Sequence, residues 1–385
     1  VTVRPPADRG LAVLLVCCLG FFWAQSARAV LYSVMPAVSL EIGLDAAQVG
    51  LVTGVLYGSY SVALYLSGFL PLGRRAVVVA GFLVAALSNA AFGLTHGLGG
   101  MLAVATVGGL GAGVYLPRGT AALVEAFEPR RRARALGWHE LSASTGLVVA
   151  PLFIGAALLV VSWRVAVAAW SVVGLVTVAA AWRALPEGPR RGTTAALGGL
   201  DVRALALAGM GAACFAVISG FFTMLPTMAA LAWRLSPPAA AGFTGWTRTG
   251  GLAGALLGGW AADRLGRMPS IVGFHAIALA AALSLPLLPY GPGLGAVVMV
   301  MALASSAAAT AYYALLGDTY RPEERERVFG PIQATASLLG SAATPVGLGL
   351  ALARLSPGVA LLGIAAAPLL GLGSAALYRW RARPR

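Results

Sequence analysis

Twelve apolar runs fall along this 385-residue chain, near residues 11–37, 46–70, 75–94, 98–127, 133–160, 163–183, 203–230, 239–261, 269–289, 292–317, 324–353 and 357–379. About twenty residues suffice for a helix to cross a hydrocarbon core of roughly 30 Å. Inside lipid an unpaired backbone group finds no water, so such runs must be helical. The composition agrees: 59% of residues are apolar and 10% charged, against roughly 45–50% and about 25% in soluble domains. Glycine and proline interrupt most runs, as membrane-spanning helices tolerate. The expected fold class is an all-α membrane protein with twelve transmembrane helices.

The net charge of +14 looks at first like a nucleic-acid footprint, but its placement says otherwise. All 27 basic residues are arginine, and 21 of them lie at the two termini or in every second loop. That alternation is the positive-inside pattern and puts both termini on the cytoplasmic side of a bacterial inner membrane. The partners expected are the lipid bilayer and a small molecule, with no nucleic acid, and the chain is expected to be a monomer. Cys17, Cys18 and Cys214 all fall inside apolar runs, with no disulfide framework or metal spacing. No cofactor, metal site or catalytic constellation is expected, which excludes an enzyme.

The polar and glycine-rich stretch LPEGPRRGTTAALGGLDV divides the chain into residues 1–184, a cytoplasmic linker at 185–202, and residues 203–385. The flanking parts resemble each other at an offset of 191 to 194 residues. LDAAQVGLVTG from Leu44 matches LSPPAAAGFTG from Leu235, and EAFEPRRRARALG from Glu125 matches DTYRPEERERVFG from Asp318. Gly146 and Pro151 pair with Gly340 and Pro345. Two parallel six-helix halves with a binding site between them are a known transporter plan.

GWAADRLGRM, Gly259 to Met268, resembles the loop signature of the major facilitator superfamily (MFS). STGLVVAPLFIG from Ser144 is similar to the fifth-helix pattern of its exporters, although Ala150 stands where a glycine is common. The superfamily's fourth-helix arginine motif is absent: Thr106 to Gly113 reads TVGGLGAG. The resemblance implies two pseudo-symmetric six-helix bundles that work by alternating access. It also implies cytoplasmic gating contacts of Arg267 with Asp318 and of Arg74 or Arg75 with Glu125. By the same resemblance Asp263 lies near the arginines opening helix five. Arg74 and Arg75 lie near Glu323, Glu324 and Glu326 of helix eleven. These would be two latches of opposite polarity, both favouring the outward-open state.

Three arginines sit well inside apolar runs: Arg28, Arg118 and Arg248. Each costs roughly 2.5–3.5 kcal/mol at a helix centre, so each needs a partner or a polar cavity. At the local offsets Arg28 faces Ser219, Arg118 faces Ala311, and Arg248 faces Leu56 or Tyr57, so none is repeated scaffold. No acid lies at comparable depth, Glu140 being the deepest. Two readings stay open. The arginines grip an anionic substrate, for which guanidinium forks suit carboxylate or phosphate, or they bond carbonyls freed by nearby glycine and proline. Gln25, Tyr32, Tyr57, Tyr115, Trp246, Tyr312 and Gln333 supply further polar tips for a pocket, or ordinary packing. The expected cargo is a small organic anion of the carboxylate type. The alternative is efflux of amphipathic drugs or metabolites, with proton coupling open.

Overall fold

The computed structural model describes residues 7–188, 201–320 and 322–382. Helix accounts for nearly all of them, and no strand occurs among them. The spanning helices are α1 (Gly10–Ile42), α2 (Ala46–Phe69), α3 (Arg74–Phe92), α4 (Leu98–Ala126), α5 (Arg130–Ala157) and α6 (Trp163–Ala184). Then come α7 (Val202–Ala232), α8, α9 (Arg267–Leu287), α10 (Pro292–Thr319), α11 (Val328–Arg354) and α12 (Pro357–Trp380). Eleven are long and apolar enough to cross a membrane unaided. The remaining run, α8, is helical in two shorter pieces, Pro237–Thr247 and Thr249–Arg264, jointed at Arg248.

Local chemistry sets the ends. Asp45 and Gln48 form a reciprocal capping box at α2, with bonds of 2.7 and 3.0 Å. Asp201 caps α7 through the Ala204 N–H at 2.7 Å. Most of the linker, residues 189–200, lies outside the described residues.

Helix packing sorts into two groups. α1 packs on α4, α5 and α6, with α2 on α4 and α3 on α4 and α6. α7 packs on α11 and α12, with α10 on α8 and α9. The groups meet along two seams, α2 with α11 and α5 with α8. Gly10 lies against Phe127, and Tyr378 bonds Thr319 at 2.8 Å, so both chain ends share one end of the bundle with the α4–α5 and α10–α11 turns. We call this the terminal end and the opposite one the far end.

The seams close at the far end because small residues let backbones touch. A Cβ on Gly50 would sit 2.4 Å from the Pro345 carbonyl oxygen, and one on Gly155 would sit 3.0 Å from that of Pro238. Along α2 the seam continues through Thr53, whose hydroxyl lies 3.9 Å from the Met224 sulfur, to a 2.6 Å hydroxyl pair between Ser61 and Ser337.

Candidate functional site

Between the halves, four helices bring two arginines towards each other. Arg28 on α1 is 3% exposed. Its guanidinium folds back one turn, as helical side chains do, donating from Nε to the Ala24 carbonyl at 3.1 Å and from Nη2 to Gln25 Oε1. α2 covers it with two rings, Tyr60 at 3.7 Å and Tyr57 at 4.7 Å from the guanidinium carbon. Out of water such a stack is worth about 2 kcal/mol.

Arg248 stands at the joint of α8 and is 7% exposed. Its Nη2 donates to the Ile218 carbonyl at 2.5 Å, and its guanidinium lies 4.4 Å from the Phe222 ring centre. Ile218 belongs to a π-turn, Ala216–Phe221, where the widened register diverts a carbonyl from the usual ladder. Two helix irregularities thus meet at one arginine. Tyr32 lies in range of both guanidiniums, and its hydroxyl has no partner among the described residues. Neither Arg28 nor Arg248 has a carboxylate partner among them.

The halves arrange this chemistry in a swapped order. One half carries the arginine on its first helix and the aromatic caps on its second. The other carries the cap, Phe222, on its first helix and the arginine on its second. Arg248 stands where the repeat places Leu56 or Tyr57.

Gln333 of α11 faces Tyr313 of α10 in the same space, with its Oε1 unpartnered among the described residues. Other sequence-predicted residues lie elsewhere. Arg118 donates to the carbonyls of Ser67 at 2.7 Å, Leu70 at 2.9 Å and Leu72 at 2.8 Å. α2 ends there in a 3₁₀ turn before Pro71, which leaves those oxygens without helical partners. Arg118 is therefore a clamp on the α2–α3 turn, and the structure does not bring it to the arginine pair. Replacing it with glutamine strands at least one carbonyl and should cost about 1–3 kcal/mol. The expected result is a lower melting temperature in detergent with ligand affinity unchanged.

Tyr115 is buried within the first half, donating to the Cys17 carbonyl at 2.5 Å. Its oxygen lies 2.9 Å from His139 Nε2. Since the hydroxyl proton goes to Cys17, His139 donates Nε2–H, and its Nδ1 is a bare acceptor with no partner among the described residues. Tyr312 is buried inside the other half under Gly211. Trp246 is 48% exposed in a shallow groove on the flank of α8, with Phe243 and Tyr290.

The terminal-end charges pair within their own halves. Arg74 meets Glu125 at 2.5 Å, while Arg75 meets Glu187 at 3.3 Å and the Leu185 carbonyl at 2.7 Å. Arg267 bridges Asp263 at 2.8 Å and Asp318 at 3.2 Å. Arg74 is buried in its pair, whereas the Arg75 and Arg267 pairs face solvent, which screens them. Asp263 and the helix-five arginines are not paired in this conformation. The side chains of Glu323, Glu324 and Glu326 lie outside the described residues.

Comparison with known proteins places the chain. The family model described as "Major Facilitator Superfamily" matches residues 17–345. A relative at 28% identity over 183 residues is an uncharacterized MFS-type transporter of Mycobacterium tuberculosis. That match takes in 45% of this chain and about a third, 31%, of the relative's length. Among solved structures, a bacterial homolog of the human lysosomal transporter Spinster superposes with a TM-score of 0.75 at 17% identity. That superposition, on the inward-facing, unoccupied form, covers 98% of this chain and 96% of that one. The nucleoside transporter NupG superposes with a TM-score of 0.74 at 13% identity, covering 96% of this chain and 100% of that one. With a matched family model, two six-helix bundles and membrane-length helices throughout, the chain is a multi-pass membrane protein that belongs to the major facilitator superfamily.

Proposed function

We propose that this protein transports a small organic anion by alternating access, holding it between Arg28 and Arg248. One observation carries the proposal: two buried guanidiniums, one from each half, lack a carboxylate partner among the described residues and share the unpartnered Tyr32 hydroxyl. Desolvated positive charge is costly without an anion, and a ligand spanning the halves couples its binding to their relative position. Gln25 and Gln333 supply neutral contacts, and Tyr57 a ring wall.

Arginine enrichment at the terminal end supports a bacterial inner-membrane location with both termini cytoplasmic. The sealed far end supports reading this conformation as inward-facing. In the outward-open state the terminal end must close, and there Asp263 would meet the arginines of helix five. Arg74 and Arg75 would meet the acids of helix eleven, with Arg267, Asp318 and Glu125 alongside as gate. The division at residues 185–202 supports two halves that each move as one body.

The second reading, export of amphipathic molecules, draws on the rings that already cover both guanidiniums. A thermal-shift panel on the purified protein separates the two. Stabilisation by carboxylates or phosphates over isosteric amides supports the anion reading. Stabilisation by lipophilic cations and neutral aromatics alone removes it.

A further inference from the structure

One cavity group has no part in that anion site. Glu140 on α5 is exposed, although it lies within a spanning helix. No hydrogen bond or ion pair engages it among the described residues. It lies in electrostatic range of Tyr60 on α2 and of Tyr313 on α10, the latter from the opposite half. Its exposure therefore opens into the gap between the halves and not onto lipid. Its neighbour His139 points the other way, stacked on Phe21 at 4.4 Å inside the first half.

The register of α1 and α5 gives its depth. The two helices run in the same direction, and a Cβ on Gly146 would lie 2.6 Å from the Phe22 carbonyl oxygen, so these residues are level. Glu140 is six residues before Gly146, and Arg28 is six after Phe22. At about 1.5 Å per residue, their backbones are roughly 18 Å apart along the axis. The Arg28 guanidinium folds back to Ala24 and Gln25, which leaves about 12 Å between the two charged ends. Tyr60 lies in that interval, its ring on Arg28 and within electrostatic range of Glu140.

We infer that the cavity is bipolar and takes an elongated zwitterion, its acidic group on Arg28 and Arg248 and its ammonium group on Glu140. The inference rests on the anion reading and narrows it. A cavity lined by arginine alone would accept any small carboxylate. With an unpaired carboxylate on the same wall, a bare anion leaves Glu140 unmatched, whereas an ω-ammonium group pairs with it. Tyr60 and Tyr313 add hydroxyl contacts to that ammonium from both halves.

The test measures binding of straight-chain carboxylates and length-matched ω-amino carboxylates to the purified full chain by calorimetry. A charge-assisted contact of about 1.5–3 kcal/mol corresponds to roughly ten- to a hundredfold in affinity. The wild type should prefer the ω-amino member by that factor at one optimal length and not at the shortest. Glu140→Gln should erase the preference while leaving monocarboxylate affinity within about twofold. Glu140→Asp, which keeps the charge on a shorter arm, should move the optimum to a longer chain. Equal affinity of both series in the wild type overturns the inference, as does a preference that survives Glu140→Gln. In both cases carboxylates still bind, so the anion reading stands. If no carboxylate of either series binds, the anion reading fails and takes this one with it.

Discussion

Replacing Gly50 with valine is expected to hold the far end open and to stop transport. In the present conformation a Cβ at this position would lie 2.4 Å from the Pro345 carbonyl oxygen and 3.0 Å from the Gly349 Cα. Both obstacles are backbone, so no side-chain rotation relieves them, and the α2–α11 seam must part. Overpacking of this kind costs about 1–3 kcal/mol, which shifts a two-state equilibrium by roughly ten- to a hundredfold. The strain exists only while the far end is closed, so the alternative state is spared and the variant should fold. The check is maleimide labelling of a Thr53→Cys probe in a background lacking Cys17, Cys18 and Cys214. Labelling from the far side should rise with Gly50→Val while substrate flux in proteoliposomes falls. Asp263→Asn should act in the opposite sense, weakening closure at the terminal end and lowering far-side labelling. Unchanged labelling in Gly50→Val would show that the seam is not part of the transport cycle. Unchanged labelling in Asp263→Asn would remove the latch assignment.

Arg28→Gln and Arg248→Gln should each reduce anion transport by about a hundredfold, the loss of one charge-assisted bidentate contact. Stability should move the other way. An arginine without a carboxylate partner costs roughly 2.5–3.5 kcal/mol in a membrane, more than the about 2 kcal/mol its ring stack returns. Both variants should therefore melt at or above the wild-type temperature while losing ligand stabilisation. Such opposition of stability and activity is the mark of a site residue. Arg118→Gln should show the reverse, because its three carbonyl bonds are scaffold. Arg248→Lys should not rescue transport, since an ammonium cannot make the planar fork. If both glutamine variants transport normally, the anion site lies elsewhere.

The extent to which the sequence is legible follows from the range of each interaction. The spanning helices are written in local apolar runs, and lipid leaves each run only one structure, so they are readable residue by residue. The pairing of halves is visible in the repeat, because the same packing problem is solved twice. Which arginines meet between the halves is not local at all. Arg28, Arg118 and Arg248 look alike in sequence, each a cation within an apolar run. What separates them is what neighbouring helices offer: rings of Tyr57, Tyr60 and Phe222 in two cases, and the loose carbonyls of a helix end in the third.

The same holds for the acids. Glu140 reads as an interfacial residue one or two turns into its helix, and only the arrangement of α2, α5 and α10 turns it towards the gap. Asp263 reads as a latch facing the other half, yet in this conformation Arg267, four residues on, holds it. By itself the sequence determined that the chain lies in lipid, how many times it crosses, and which of its ends carries the positive charge. These follow from hydropathy and charge counts, which need no partner. The tertiary structure decided which cations are left unmatched and which seam is closed. Those depend on what lies across a gap, and helices far apart in sequence supply it.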